Sequence, residues 1–397
     1  MKRPLKIAIY SGSIPSTTFI ENLIEGLAEH EVSVLLFGKK SKRVAYNNKN
    51  IKVYGDSKNR GIRLVFTLFR SLLLLIIYPK RFSILINEIK SYSSVYVRWI
   101  WWSRYVPVVL YIPDIFHVQW AKDLEHWLFL KRKFNKKIIL SLLGSHINYS
   151  PKVDKQLAKS YRENFSSVDA FHGVSQAIIT EAKLYNNSLK NVKLIYTQLK
   201  PVTFEYFKND KKEKINKLRI LSVGRHHWVK GYNYAIEAMY LLKMNGVDFK
   251  YTIIAEGELP ESLIFMVNEY NLTSNIEFQT GMTQHELYKK MQTYDTLLLP
   301  SINEGIANVV VEAMAIGLLV VSSDCGGMSE VVIPEKTGWL CKVRNPESMA
   351  KSLLEVKTSS QQKRMELANN AFNNVKERFY GPKKIEEFIE LYNSIDL

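Results

Sequence analysis

Apolar residues along the chain gather in short continuous runs, and the segments between them carry apolar positions at three- and four-residue spacing. That alternation predicts buried parallel strands covered by helices. Leu5 to Tyr10 is the opening strand; the turn SGSIPSTTF follows with Gly12 in it, then a helix from Thr17 or Thr18 to His30, then a second strand, Val32 to Phe37. The runs SSVYVRW, DIFHVQW, KKIILSLLGSH, DAFHGVS and VKLIY are β-branched or apolar and bounded by turn residues, so each is expected as a strand. The pattern repeats further on. Leu218 to Ser222, Tyr251 to Ile254, Ile276 to Phe278 and Leu297 to Leu299 read as strands, with helices at Tyr232 to Lys243, Gln284 to Gln292 and Ile306 to Ala315.

At 397 residues the chain has room for two doubly wound α/β units. The charge run FKNDKKEKINK, Phe207 to Lys217, lies between apolar strands and reads as a linker. The expected division is a first domain at 1–205, a linker at 206–217, a second domain at 218–379, and a separate amphipathic helix at 380–397. No internal period of repeat length and no low-complexity tract interrupts this pattern.

Chemistry concentrates at the strand ends of the second half. In PSINEGIANVVVEAMAIGLLVVSSDCGGMSEVVIPEKTG, Glu304 and Glu312 are separated by seven residues, with glycines before, within and after the apolar run. Strand, tight turn and helix together expose unpaired backbone N–H groups at the positive end of the helix, a geometry that takes an anion such as a diphosphate, with Gly305 permitting close approach. A helix rises about 1.5 Å per residue, so the two carboxylates stand roughly 12 Å apart, far enough to serve a sugar ring and a ribose. Ionised carboxylates accept hydrogen bonds on both oxygens, which suits hydroxyl pairs. The alternative is that Glu304 caps the helix and Glu312 is a partly exposed helix acid.

Three further loops carry glycine or charge at strand ends, where open α/β sheets bind ligands. VGRHHWVKG supplies Gly224, Arg225 and Lys230, one forked and one point-like cation suited to a leaving diphosphate, although either base alone would pass for a solvated side chain. AEGEL holds Glu256 and Gly257, and QTGMTQHEL holds Gly281 and Met282.

In this order the motifs VGR…KG, AEGEL, FQTG, PSINEG…EAMAIG, the GG-x-x-E turn at Gly326 to Glu330 and the TG at Thr337 and Gly338 resemble the retaining GT-B glycosyltransferases of family 4, over about residues 218 to 380. The resemblance implies an α/β chain of GT-B type, two doubly wound Rossmann-like domains facing a central cleft, with the last helix returning to the first domain. It places Arg225 and Lys230 on the donor diphosphate, Glu304 on the sugar hydroxyls and Glu312 on the ribose. It sets the backbone of Gly305, Ile306, Ala307 and Asn308 against the phosphates, and it brings Gly224, Glu256, Gly281, Met282 and, from the first loop, Gly12 to the donor. Gly12 also fits a plain strand-to-helix turn of any α/β protein. FHGVSQAIITEA is similar to the family's strand–Ser–helix element, with Ser175 as the cap. Ala255 stands where the family's loop often begins with glycine, a departure of small expected consequence. In LLGSHI, Leu143 occupies the family's usual histidine position and His146 that of the acid. His146 is therefore a candidate site residue, against the alternative of a structural histidine, and His117 in DIFHVQW reads as an interior one.

Charge divides the chain unevenly. Residues 1 to 200 hold 32 Lys and Arg against 13 Asp and Glu, while the remainder holds 23 against 25, so the formal surplus of +17 comes entirely from the first part. Arg60 to Arg104 alone carries eight bases and one acid among LVFTLFRSLLLLIIY and Trp99, Trp101 and Trp102. Basic residues beside apolar and aromatic ones suit an anionic membrane surface. The alternative is a helix packed into the first domain with its bases solvated. The unbroken apolar part, Leu72 to Tyr78, is far short of the ~20 residues a membrane span needs. No zinc-ligand spacing or nucleic-acid module accompanies the charge, so nucleic acid is not an expected partner.

The apolar run of MKRPLKIAIY is too short for a secretory segment and belongs to the first strand, so the expected location is the cytoplasm, peripheral on the inner face of the cell membrane. Cys325 and Cys341 are expected as free thiols lying near each other. No Asp-x-Asp or His/Cys cluster is present, so no metal or cofactor is expected beyond the nucleotide-sugar donor itself. The sequence thus reads as a glycosyltransferase acting on a lipid-linked or cell-surface glycan acceptor. A nucleotide-sugar epimerase or hydrolase of the same fold, or a non-catalytic nucleotide-sugar or lipid-binding protein, are the rival readings.

Overall fold

The computed structural model describes residues 4–41 and 45–395. The chain divides into two compact units. One holds the residues up to Val174, Ile179–Gln198 and the tail from Gly381; the other holds Ser175–Ile178 and Leu199–Tyr380.

The first unit is built on β1 (Leu5–Ile14), β2 (Val32–Lys40), β3 (Ile51–Val53), β4 (Ile115–Val118), β5 (Lys137–Leu142), β6 (Ala170–Gly173) and β7 (Val192–Leu194), in the spatial order β3-β2-β1-β4-β5-β6-β7. Every pairing is parallel. Strands buried on both faces need no polar alternation, which is why they appear in the sequence as continuous apolar runs. Helix α1 (Thr18–Ala28) turns Ile20, Leu23, Ile24 and Leu27 onto this sheet. The last helix, Gly381–Asn393, packs beside α1 so closely that a Cβ on Gly26 would lie 2.5 Å from the Ile385 side chain. It buries Ile385, Phe388, Leu391 and Tyr392 in the same core.

A polar thread runs through that core. His117 on β4 is fully buried, with Nδ1 2.8 Å from the Tyr392 hydroxyl and Nε2 2.9 Å from Ser141 Oγ. Ser141 Oγ also lies 2.9 Å from Nδ1 of His172, whose Nε2 is 2.9 Å from the Ile195 carbonyl oxygen. Burial holds both imidazoles below their ordinary range, His172 down to about 4. His117 is thus the satisfied interior histidine that its place on an apolar strand suggests.

Several elements differ from the sequence reading. SSVYVRW is not a strand: it opens α4 (Val95–Leu110), 16 residues long, whose buried positions Trp101, Tyr105, Val108 and Val109 recur at helical spacing. The apolar run continues past the length a strand uses, and its second half, Tyr105 to Leu110, is buried on every side. Gly12 does not sit in a turn; β1 runs through it to Ile14, with a register shift between Tyr10 and Gly12 and a positive φ of 78° at the glycine. Helix α2 (Arg60–Ile77) is inside out. It turns Thr67 and Leu74 inward and exposes Ile62, Val65, Phe66, Phe69, Leu72 and Ile76, with Val65 65% and Ile76 67% accessible. Helix α3 (Pro79–Ile89) then leads back to α4.

The second unit carries β8 (Leu218–Arg225), β9 (Phe249–Glu256), β10 (Ile276–Gln279), β11 (Thr296–Leu299), β12 (Leu319–Ser323) and β13 (Trp339–Cys341), in the order β10-β9-β8-β11-β12-β13, again all parallel. The order reverses between β8 and β11, the switch point at which such sheets open a crevice beyond their carboxyl ends. Ser222 Oγ donates to the Leu298 carbonyl at 2.6 Å and accepts from the Tyr251 hydroxyl at 2.8 Å, fastening β8, β9 and β11 together in the core. The charged stretch Phe207–Lys217, expected as a linker, is packed into this unit, and the chain enters the unit at Leu199. Burial pushes Lys211 down to about 8, and the buried Arg364 donates to the Lys212 carbonyl at 2.6 Å, so a run that looks solvated in sequence is anchored by its backbone and by one desolvated lysine. Both cysteines are free and buried, and burial pushes each thiol up to about 12.

Replacing His117 by Ala leaves the Tyr392 and Ser141 hydroxyls without their partner and opens a cavity in a sealed core. Urea unfolding of the purified chain should show a loss of roughly 2–4 kcal/mol in the transition of the first unit, with the second unit's transition unmoved.

Candidate functional site

At the carboxyl end of β11 the chain makes the turn Pro300–Ala307 before the helix Asn308–Ala315. The helix begins two residues later than the sequence spacing suggests, because Ala307 stays extended at φ −73°, ψ 116° and acts as the cap. Its first-turn amides are therefore those of Asn308 and Val309. The Val310 amide already bonds the Ala307 carbonyl at 3.0 Å, and the Ala307 amide faces Met328 Sδ at 3.4 Å. Of the amides at 306–308 expected to face an anion, that of Ala307 is taken by sulfur.

Two glycine contacts fix the turn. Gly231, at φ 65°, lies against the Pro300 carbonyl, and Gly326, at φ 57°, lies against the Glu304 carbonyl; a Cβ on either would collide with that oxygen. The Gly327 amide also donates to the Gly305 carbonyl at 2.8 Å, and Ile302 donates to the Val229 carbonyl at 2.7 Å. The loops that follow β8 and β12 therefore grip the loop of the strand between them.

This grip brings Glu304 and Lys230 together, with Lys230 Nζ 2.7 Å from Glu304 Oε1 and each side chain 17% exposed. Ser301 Oγ donates to the same oxygen at 2.9 Å. The Lys230 stem passes Gly224, where a Cβ would stand 3.1 Å from its Cε and 2.8 Å from the Tyr232 hydroxyl. That hydroxyl is buried and has no hydrogen-bond partner among the described residues, and burial, reinforced by the Glu304 charge, raises its pKa. An unpaired buried donor costs free energy unless something fills the space beside it. No motif singles out Tyr232, since a tyrosine opening a helix reads as core. Arg225 is exposed at the tip of β8, in register with Glu256 on β9, and Gly281 lies against the Glu256 side chain, with Met282 half-buried beside it.

Glu312 sits one turn deeper in the helix Asn308–Ala315. Gln284 Nε2 donates to its Oε1 at 2.9 Å and to the Tyr288 hydroxyl at 2.7 Å. Burial pushes this carboxyl up to about 7, against the opposing pull of the bonds from Gln284 and Tyr288. The last member of the GG-x-x-E turn is occupied otherwise: the Glu330 carboxylate accepts from the Gln176 and Ala177 amides at 3.0 and 2.9 Å, where Ser175 Oγ caps the Ile178 amide at 3.1 Å.

Gly12 and His146 belong to the first unit. His146, in the short helix Gly144–Asn148, packs its ring on Trp120 with centroids 5.1 Å apart. Its buried Nδ1 has no partner among the described residues, and burial, with the Lys122 charge, pushes it down to about 4, so it is neutral at pH 7.

A pair of doubly wound parallel sheets, the second with charged loops gathered at its switch point, is the architecture of the GT-B glycosyltransferases. Sucrose-phosphate synthase from Thermosynechococcus elongatus shares it with a TM-score of 0.75 over 98% of each chain at 16% identity. Anabaena HepE in complex with UDP and glucose shares it with a TM-score of 0.70 over 98% of this chain and 100% of that one at 15% identity. Residues 204–374 match the glycosyl transferases group 1. The amylovoran biosynthesis glycosyltransferase AmsK of Erwinia amylovora is 37% identical over 145 residues, covering 35% of this chain and 36% of that protein. WcaL of Escherichia coli, named for colanic acid biosynthesis, is 35% identical over 142 residues, covering 34% and 35%. The chain thus spans about a third of the length of these curated relatives.

Gly326→Ala should force the Glu304 turn away from its carbonyl contact at a positive φ, costing roughly 2–4 kcal/mol of second-unit stability in denaturant unfolding. A carboxyl with a higher pKa in the folded than in the unfolded chain contributes stability at low pH and loses it as pH rises through the folded value; for Glu312 that window runs from 4.5 to about 7. Glu312→Gln should therefore raise the second unit's Tm by roughly 2–4 °C at pH 8 and by less at pH 5, as followed by calorimetry.

Proposed function

We propose that the protein is a glycosyltransferase that moves a sugar from a nucleotide-diphosphate sugar to a hydroxyl of a lipid-linked or cell-surface polysaccharide precursor, with retention of anomeric configuration. The observation that carries this reading is the Lys230–Glu304 pair, held by the loops that follow β8 and β11, beside the amide end of a helix. It sets a cation and a carboxylate side by side where a diphosphate and a sugar ring would adjoin.

In this reading Lys230 and Arg225 take up the charge that develops on the diphosphate as the anomeric C–O bond breaks. Glu304 accepts from sugar hydroxyls, Glu312 faces the ribose, and the Tyr232 hydroxyl finds its partner on the ligand. The acceptor oxygen bonds to the anomeric carbon on the face the diphosphate leaves, and the departing phosphate oxygen takes the acceptor proton. His146, neutral at working pH, is a candidate contact on the acceptor side.

The reading places the enzyme at the cytoplasmic face of an anionic membrane. Its support is the outward apolar face of α2 and the basic surplus of the first 200 residues. Among the described residues no helix is long and apolar enough to cross a membrane. The relatives' names, amylovoran and colanic acid biosynthesis, support a polysaccharide precursor as acceptor.

Screening UDP-, GDP- and other nucleotide sugars should find one that raises the Tm of the chain, because a ligand that binds only the folded state stabilises it by mass action. With that donor, Glu304→Ala should cut transfer at least about 100-fold while circular dichroism stays unchanged. Absence of stabilisation by every nucleotide sugar tried overturns the reading, an inverted product anomer overturns the stereochemistry, and release of free sugar without acceptor assigns hydrolysis instead.

A further inference from the structure

The first unit holds a second concentration of charge that the donor chemistry does not use. A cavity of about 150 Å³ lies among Gly12, Gly38, Lys39, Asp56, Arg63 and Arg104. Gly12 keeps it open: a Cβ there would have only the Tyr10 hydroxyl within reach, at 4.0 Å. The one acid of this set, Asp56, is ion-paired to Arg70 at 3.2 Å, and Asp123, buried near Arg104, offsets a second base. Lys39 and Arg63 remain as surplus positive charge. The Arg63 Nε is buried and has no hydrogen-bond partner among the described residues, which a guanidinium in a closed wall does not tolerate without a ligand or water.

How Arg63 comes to point inward follows from α2. Arg63, Thr67, Arg70 and Leu74 form one stripe at i, i+4, i+7 and i+11, facing the unit, and the apolar side chains take the outer face. Soluble helices are arranged the other way round. The outer face adjoins the cavity region: a neighbouring groove of about 580 Å³ is lined by Ile62, Phe66 and Arg70 of α2 together with Ile14 and Lys40, and Tyr96, exposed at the start of α4, borders the cavity itself. A second copy of this chain would bring like charges together, since residues 39 to 81 hold twelve bases and one acid.

We infer that this cavity binds the phosphate or diphosphate of a membrane amphiphile, whose hydrocarbon chain lies along the outer face of α2. The guanidinium of Arg63 forks onto the phosphate oxygens, Lys39 adds a point charge, and Ile62, Phe66 and Phe69 take the first methylenes. That this amphiphile is the acceptor rests on the glycosyl-transfer reading; the binding site does not.

The test uses the full chain carrying Arg225→Ala and Lys230→Ala, so that a diphosphate cannot report from the second unit, and titrates decyl diphosphate and inorganic pyrophosphate calorimetrically. Decyl diphosphate should bind at least tenfold more tightly than pyrophosphate. Arg63→Gln should weaken both at least tenfold, with Arg63→Lys losing less, and Phe66→Ser with Phe69→Ser should weaken decyl diphosphate alone. Equal affinity for the two probes means that free phosphate, not an amphiphile, is the ligand and overturns the inference, as does binding that ignores Arg63→Gln. Nucleotide-sugar stabilisation measured on Arg63→Gln in the otherwise unaltered chain keeps the two proposals apart: its retention shows a folded protein whose donor chemistry is untouched, whichever way the lipid site is decided.

Discussion

The second unit depends on two places where backbone meets backbone without a side chain between. Gly231 against the Pro300 carbonyl and Gly326 against the Glu304 carbonyl squeeze the loop after β11 from both of its sheet neighbours. Glu304 lies on that loop, and the helix that carries Glu312 starts from it. The backbone of Glu304 is pinned by these contacts, its carboxylate is held by Lys230 and Ser301, and the cap at Ala307 is set by the same turn. Rigidity of this kind matters because charge placed within a fraction of an ångström of where it is needed costs no reorganisation during reaction.

Most strands were legible because parallel strands buried on both faces leave an unmistakable trace: LKIAIY, KKIILSL and TLLL are apolar with no room for alternation. The region of the site was legible because glycines and charges gather at the strand ends of the second half. The ion pair of Lys230 with Glu304 was not, since the motif resemblance sets one on a diphosphate and the other on a sugar. What was not legible is set by contacts distant in sequence. SSVYVRW has strand composition locally, and it is helix as the first turns of a longer element whose Trp101 and Tyr105 pack on His126 and Trp127, distant in sequence. Tyr232 is an ordinary helix opener until Gly224 and Glu304 close around its hydroxyl. Lys211 sits in a run of solvated-looking charge but is buried, its Nζ donating to the Gly317 carbonyl more than a hundred residues away.

Charge in the first unit shows the limit of counting. The surplus of bases marks the right region, but the sum does not say which way each base points. On α2 Arg63 and Arg70 turn toward the protein while Ile62, Val65, Phe66, Phe69, Leu72 and Ile76 face outward, so two of its bases and most of its apolar surface are on opposite faces of one helix. A reading that assigns charge to solvent and apolar residues to the core, as for most helices, gets both faces backwards here.

The thread from His117 to Tyr392 ties the first unit's central strand to the helix Gly381–Asn393, which is made after the whole of the second unit. A growing polypeptide emerges amino end first, so the amino-terminal half must wait, its core incomplete, while the whole carboxyl-terminal half leaves the ribosome. For that interval Phe388 and Leu391 are still unsynthesised and the surface they will cover is bare. Completion of the first unit's core is therefore paced by translation of the codons for residues 381–393, however early its own strands emerge.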